Sequence, residues 1–245
     1  MQATTIGLDL AKNIFQVHGV TADGTTLFNR PVRRAQLLKF FEKQPPCLVG
    51  MEACATSHYW ARELTKFGHE VRLMAPSYVK PYVKRGKSDA ADAEAICEAV
   101  TRPTMRTVPI KTPEQQAVLC QHRARELLIG QRTQLSNIIR GLVGEFGYTL
   151  RKGLSYIRAF AEELNDGRGP DLPDVAADVI ASLCKQLLTL HRRILALEKK
   201  IFQAARRDQR VKLLETIPGI GPVSASAIIA TVGTPDNFKS GRDFA

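Results

Sequence analysis

Ile6-Gly7-Leu8-Asp9 is the stretch whose reading decides the fold of this chain. An apolar run that ends on an acid reads as a buried strand delivering a carboxylate to its end. Cys47-Leu48-Val49-Gly50-Met51-Glu52 repeats the pattern, and Asp89-Ala90-Ala91-Asp92-Ala93-Glu94-Ala95-Ile96 reads as the opening of a helix with two acids on one face. Taken singly each acid has an ordinary explanation. Asp9 is a turn or cap residue, and Asp89 an N-cap with Asp92 at N3 beside the helix dipole. Taken together, Asp9, Glu52, Asp89 and Asp92 repel one another unless divalent cations lie among them, as metal-assisted phosphoryl transfer requires.

Working outward, residues 5–10, 14–20 and 26–29 read as strands of an antiparallel meander, with a turn at 21–24. Residues 34–41 form an amphipathic helix stopped by Pro45-Pro46, 48–51 a short buried strand, 59–67 a helix closed by Gly68, 71–74 a strand closed by Pro76, and 89–100 a helix. Periodicity alone gives only an α/β unit. The order, three hairpin strands and then strands separated by helices, matches the RNase H architecture.

From Thr112 the chain reads as helical. Residues 114–145 carry few breakers, with apolar Leu128, Leu135, Ile138 and Leu142, and a loop-rich piece holding Gly167-Arg168-Gly169-Pro170 follows. Ile180, Leu183, Leu187, Leu190, Ile194, Leu197 and Ile201 then recur at alternating intervals of three and four, a heptad seam, with Leu188, Leu195 and Phe202 widening the stripe. The two long helices are expected to pair as an antiparallel arm or as a dimerisation element.

The 245 residues carry 35 Lys and Arg against 24 Asp and Glu, a formal net charge of +11 that favours a polyanionic partner. No apolar run nears the roughly 18 residues that span a bilayer, and the N-terminus lacks the pattern of a signal peptide. Five scattered cysteines without Cys-x-x-Cys read as reduced thiols of a cytoplasmic protein, so the charge points to nucleic acid rather than a membrane. Residues 185–212 hold nine Lys or Arg against two acids, and Arg192, Arg193, Lys199 and Lys200 are candidate phosphate contacts. Lys80, Lys84, Arg85 and Lys87 crowd before Asp89 and can guide a phosphate backbone, with Tyr78 and Tyr82 interleaved as stacking or core residues. Ile217-Pro218-Gly219-Ile220-Gly221-Pro222 reads as a helix-hairpin-helix turn, flanked by Leu213-Leu214 and Ile228-Ile229, with backbone N–H groups at Gly219 and Gly221 free to meet a phosphate. Cys54 and His58 lack the further ligands of a zinc site, and no Walker loop, GxGxxG or Gly-x-Ser-x-Gly occurs.

Gly7-Leu8-Asp9-Leu10-Ala11-Lys12, Gly50-Met51-Glu52-Ala53-Cys54, Lys87-Ser88-Asp89-Ala90-Ala91-Asp92-Ala93 and the Pro218-Gly219-Ile220-Gly221-Pro222 segment appear in the order and spacing of one family. The chain resembles transposases of the insertion-sequence 110 family, nearer the insertion-sequence 1111 branch, with the related Piv-type DNA invertases. The resemblance implies a RuvC-like domain at 1–105 whose DEDD site (Asp9, Glu52, Asp89, Asp92) binds Mg²⁺ or Mn²⁺. It also implies a helical coiled-coil region at 106–212 and the start of a C-terminal transposase domain at 213–245. Members are similar in being recombinases guided by a structured non-coding RNA that pairs with donor and target DNA, and in assembling as dimers that join into a tetramer. They also use a serine nucleophile. Ser224, Ser226 and Ser240 do not match its position, so the chain is expected to stop short of it. Two other readings stay open: a RuvC-like resolvase that hydrolyses branched DNA with metal-activated water, and a non-catalytic nucleic-acid-binding fragment.

Overall fold

The computed structural model describes residues 1–84, 86, 88–233, 238 and 240–244, so Arg85 and Lys87 of the expected basic cluster lie outside the described residues. The chain forms two compact units, Met1–Thr112 with Asn237–Ala245, and Pro113–Asp236.

The first unit is built on a mixed sheet. Strands β1 (Thr5–Asp9), β2 (Ile14–Val20) and β3 (Thr26–Arg33) form the antiparallel meander, and β4 (Leu48–Glu52) and β5 (Glu70–Met74) extend it in parallel beyond β1. A short β6 (Thr107–Val108), absent from the sequence reading, pairs antiparallel with β5 and completes the order β3-β2-β1-β4-β5-β6. β3 runs on to Arg33 through Pro31, which an edge strand tolerates because no neighbour needs its missing N–H. The helix expected at 34–41 is a 3-10 turn followed by α1 (Leu37–Glu42). Helices α2 (Ser57–Lys66) and α3 (Pro76–Val79) follow in turn, and α4 (Asp89–Val100) has the bounds that its sequence pattern predicts.

Side chains alternate across the sheet. Ile6, Leu8, Val49 and Met51 point into one core with Phe15, Val17, Leu37, Phe41, Trp60 and Leu64, all buried. The opposite face of β1 and β4 carries Gly7 and Gly50, direct register partners, and α4 lies on them. A β-carbon at Gly7 would run into the Ala93 carbonyl oxygen and come within 2.6 Å of the Cys97 backbone nitrogen, and one at Gly50 would sit 2.8 Å from Val100 Cβ. The helix therefore seats at a distance that only glycine permits.

The second unit is helical: α5 (Pro113–Gly144), α6 (Leu154–Asn165), α7 (Asp174–Ala205), α8 (Gln209–Leu214) and α9 (Pro222–Val232). A short α10 (Gly241–Phe244) follows in sequence and belongs to the first unit. α5 and α7 pair within the chain and run antiparallel, since Arg125 meets Glu198 at 2.7 Å and Arg132 meets His191 at 3.2 Å. Their core holds Ile139, Val143, Ile180, Cys184 and Leu187 with Ile157 and Ala161 of α6. α6 occupies part of what reads as a loop: Leu154, Ile157, Ala161 and Leu164 keep helical spacing, but the neighbouring Gly and Pro residues mask it. Of the apolar residues of α5, Leu135 and Leu142 pack against this core, but Ile138 is 49% exposed and the adjacent Ile139 is fully buried.

Gly7→Ala should destabilise the chain by about 1–3 kcal/mol through overpacking against helix backbone. Gly130→Ala, where an added β-carbon meets nothing within 4 Å on α5, should stabilise it by about 0.5–1 kcal/mol. Thermal or urea melts of the pair check both signs.

Candidate functional site

Because side chains alternate along a strand, Asp9 shares the α4-facing side of β1 with Gly7, and Glu52 shares that of β4 with Gly50. The acids stand at the strand ends toward which α4 points its first turn. Carboxylate oxygens of Asp9, Asp89 and Asp92 all lie within 4.8 Å of one another, the group of potential metal ligands that the described residues bring together. Glu52 is outside that tight group, yet its charge acts on Asp9 and it is itself perturbed by Asp92.

Asp89 is not the N-cap of α4. Ser88 holds that place in extended conformation, its hydroxyl oxygen accepting from the Ala91 N–H at 3.3 Å, so neither Asp89 nor Asp92 is the capping side chain. Both acids lie in the first turn, at the positive end of the helix dipole. A side-chain chain across the sheet fixes the same turn. Gln16, register partner of Asp9, donates through Nε2 to Asn29 Oδ1 at 2.6 Å, and Asn29 Nδ2 donates to the Ala90 carbonyl at 3.0 Å. Sequence reading missed Gln16, Asn29 and Ser88 as site supports. Gln16 and Asn29 reach the acids only through the meander's register, whereas Ser88 just before an acid-led helix carried a legible capping signal.

Burial first, and then the charges of Asp92, Asp89 and Glu52, push the Asp9 carboxyl from 3.8 up to about 6, against a backbone hydrogen bond from Leu10 that lowers it. Glu52 is raised as well, by burial and then by Asp92. The cluster holds more negative charge than its surroundings neutralise. The donor set, carboxylate oxygens alone, suits a hard divalent cation such as Mg²⁺ or Mn²⁺.

The candidate nucleic-acid contacts are dispersed. Lys80 is exposed, but Lys84 is engaged by Glu94. Tyr82 packs against the core that includes Met74 and Ile96, while Tyr78 is exposed. Arg192, Arg193, Lys199 and Lys200 are all exposed on α7. Gly219 lies in the α8–α9 turn at φ +88°, a conformation that favours glycine, and Gly221 caps α9 with Pro222 at its start. Ala205, Val211 and Ala225 pack the turn's base with Leu214, Ile220 and Ile229, but Leu213, expected to pack, is 70% exposed. Ser226, an alternative nucleophile by type alone, is buried with its hydroxyl 3.2 Å from His122 Nε2, a contact that ties α9 to α5. His58, paired with Cys54 in the dismissed zinc reading, has both ring nitrogens beside Lys111, at 3.2 Å from its backbone N and 3.4 Å from its Nζ.

The first unit is a mixed α/β domain whose sheet order and gathered acids are consistent with an RNase H-like domain of the DEDD type. Two comparisons carry this further. A family model for the IS110 DEDD group, described as a transposase, matches residues 6–147, and a second, described as "Transposase IS116/IS110/IS902 family", matches residues 211–245. The chain is 49% identical over 246 residues to a "Probable family 20 transposase" of Pseudomonas aeruginosa, covering 100% of this chain and 73% of that one. It is 36% identical to the transposase of insertion sequence element IS1328 of Yersinia enterocolitica (98% of this chain, 71% of the relative). It is 34% identical to that of IS1111A of Coxiella burnetii (98% and 66%). The chain belongs to the IS110 family of transposases, an enzyme family, and spans only part of the length of these relatives.

Two outcomes follow for the acids. The folded-state value of Asp9 lies above its unfolded value, so its contribution to stability is full below about pH 3.8 and is lost as the pH rises through about 6. Asp9→Asn should therefore stabilise the metal-free chain at pH 7.5 by about 1–2 kcal/mol, after discounting for solvent screening, and so raise its melting temperature. It should give no gain at pH 3.5. Melts in EDTA at both pH values check the sign. Asn29→Ala should lower stability by only about 1 kcal/mol yet weaken divalent-cation binding, as read by calorimetric titration with Mn²⁺.

Proposed function

We propose that the chain is the metal-binding and nucleic-acid-binding portion of an insertion-sequence recombinase that cleaves and exchanges DNA strands under the guidance of a structured RNA. The observation that carries this reading is the convergence of Asp9, Asp89 and Asp92 at the end of an RNase H-like sheet, with Glu52 bearing on them electrostatically. These four acids would hold Mg²⁺ or Mn²⁺. A bound ion of this kind neutralises charge that develops on a phosphate under attack. The chain's own residues do the rest: Ser88 and Asn29 fix the first turn of α4, Gln16 fixes Asn29, and the exposed Lys80 draws the phosphate backbone toward the acids.

On this reading residues 1–105 are the RuvC-like domain, 106–212 a helical coiled-coil region and 213–245 the start of the C-terminal transposase domain. The α8–α9 turn grips phosphates as a helix-hairpin-helix through backbone N–H groups near Gly219 and Gly221. The serine that the family resemblance implies as nucleophile is assigned to no residue of this chain. RNA, donor DNA and target DNA are the partners, and dimers joining into a tetramer the assembly.

The metal reading is tested by melting the chain with and without Mn²⁺ or Mg²⁺. Saturating ion should raise the melting temperature by several degrees, since binding at about 100 times Kd adds about 2.7 kcal/mol. The double variant Asp89→Asn/Asp92→Asn should lose that rise. A chain whose melting is indifferent to both ions would contradict the proposal.

A further inference from the structure

One face of α7 is left uncovered by α5 and α6, and its composition repeats. Lys185, Arg192, Lys199 and Arg206 recur every seventh residue and are all exposed. Three residues after the first three of these cations come Leu188, Leu195 and Phe202, of which Leu195 is 50% and Phe202 38% exposed. A groove of about 590 Å³ between α6 and α7 is lined by Lys185, Leu188, Arg192 and Leu195 with Arg158 of α6. A second, of about 330 Å³, carries the same row onward along Leu195, Lys199, Phe202 and Arg206. Leu195 lines both, so the track is continuous along roughly 30 Å of helix at about 1.5 Å per residue.

Arg158 lines the first groove and pairs through Nη2 with Glu162 at 3.2 Å, while its Nε is buried without a hydrogen-bond partner, an unused donor. His191 adds another. A guanidinium only donates, so His191 Nδ1, 3.2 Å from Arg132 Nη1, must accept, and the neutral ring carries its proton on Nε2.

We propose that this face of α7 is a binding track for an unpaired RNA strand, its phosphates on the cation row and its sugars and bases on the Leu188–Leu195–Phe202 row. The proposal deepens the nucleic-acid-binding reading above and rests on it for the class of partner. Charge complementarity makes the choice of occupant. A second copy presenting the same face would set like charges against each other, and the apolar row is too narrow for a lipid surface. A duplex turns its phosphates outward and keeps its bases stacked inside, which leaves the apolar row nothing to cover, whereas an unpaired strand offers both surfaces. Glu162 and Asn165 also line the groove. The Glu162 carboxylate, paired with Arg158 through Oε1 at 3.2 Å, has a second oxygen that can accept a hydrogen bond from a ribose 2′-hydroxyl, which DNA lacks.

The test is fluorescence anisotropy of the full 245-residue chain with a labelled uridine homopolymer, in EDTA so that the acidic site takes no part. Two triple variants carry the same change in net charge: Arg192→Glu/Lys199→Glu/Arg206→Glu on the track, and Arg123→Glu/Arg151→Glu/Lys152→Glu elsewhere on the helical unit. The first should weaken binding about tenfold or more and flatten its salt dependence, and the second less than about threefold. Leu195→Ser/Phe202→Ser should weaken binding of the homopolymer several-fold and leave duplex RNA unaffected. All these positions are exposed, and unchanged melting temperatures verify the folding of each variant. Equal losses from the two triples would overturn the track, and so would a Leu195→Ser/Phe202→Ser variant that changes mass in solution without changing RNA affinity. Equal binding of the matching deoxyribose oligomer would overturn the assignment to RNA. None of these outcomes touches the metal-dependent melting that tests the acidic site.

Discussion

The seat of α4 on Gly7 and Gly50 is the contact on which the acidic site depends. Two strands that lie side by side place glycine at register partners, and the helix backbone descends to where any β-carbon would stand. Each glycine is followed two residues later, on the same face, by an acid. The closeness that the glycines allow is thus the closeness at which Asp9 meets Asp89 and Asp92. A helix held further off would leave the same acids as separate, solvated charges.

Gathering them works against folding stability. Burial and mutual repulsion raise Asp9 to about 6, and the fold sustains that strain with contacts that contain no charge. The apolar core on the other face of the sheet holds β1 and β4 in place, Ser88 satisfies the helix end, and the Gln16–Asn29–Ala90 hydrogen bonds fasten the first turn. A site that is costly when empty gains most from a ligand of opposite charge, which is why a cation and not a proton is its fitting occupant near neutral pH.

Much of this was legible in the chain. The meander, the two parallel strands and α4 follow from apolar runs and breakers; Asp9 and Glu52 stand out because acids seldom end such runs, and Asp89 and Asp92 because they open a helix three residues apart. Gly7-x-Asp9 and Gly50-x-Glu52 were equally visible, but the meaning of their glycines lies in a helix more than eighty residues away along the chain from Gly7, whose approach no local pattern encodes. β6 is two residues long and has no periodicity to read. α6 was hidden by Gly167, Gly169 and Pro170, and on α5 Ile138 and Ile139 are adjacent, so only packing decides that Ile139 is the one inside. On α7 the heptad of apolar residues was plain. The second heptad, of cations beside Leu195 and Phe202, becomes a surface only once α5 and α6 are seen to cover the other faces.

The two units therefore carry different kinds of constraint: a short-range steric one in the sheet, and a long repeat on the helix. The first is the more exacting, and calorimetric titration of Mn²⁺ into the Gly7→Ala variant, well below its melting temperature, tests it most directly. No ligand is altered in that variant, yet its affinity for the ion should fall by at least about tenfold as α4 is lifted from the sheet. Affinity equal to that of the unaltered chain would contradict the claim that the glycine seat of α4 assembles the site.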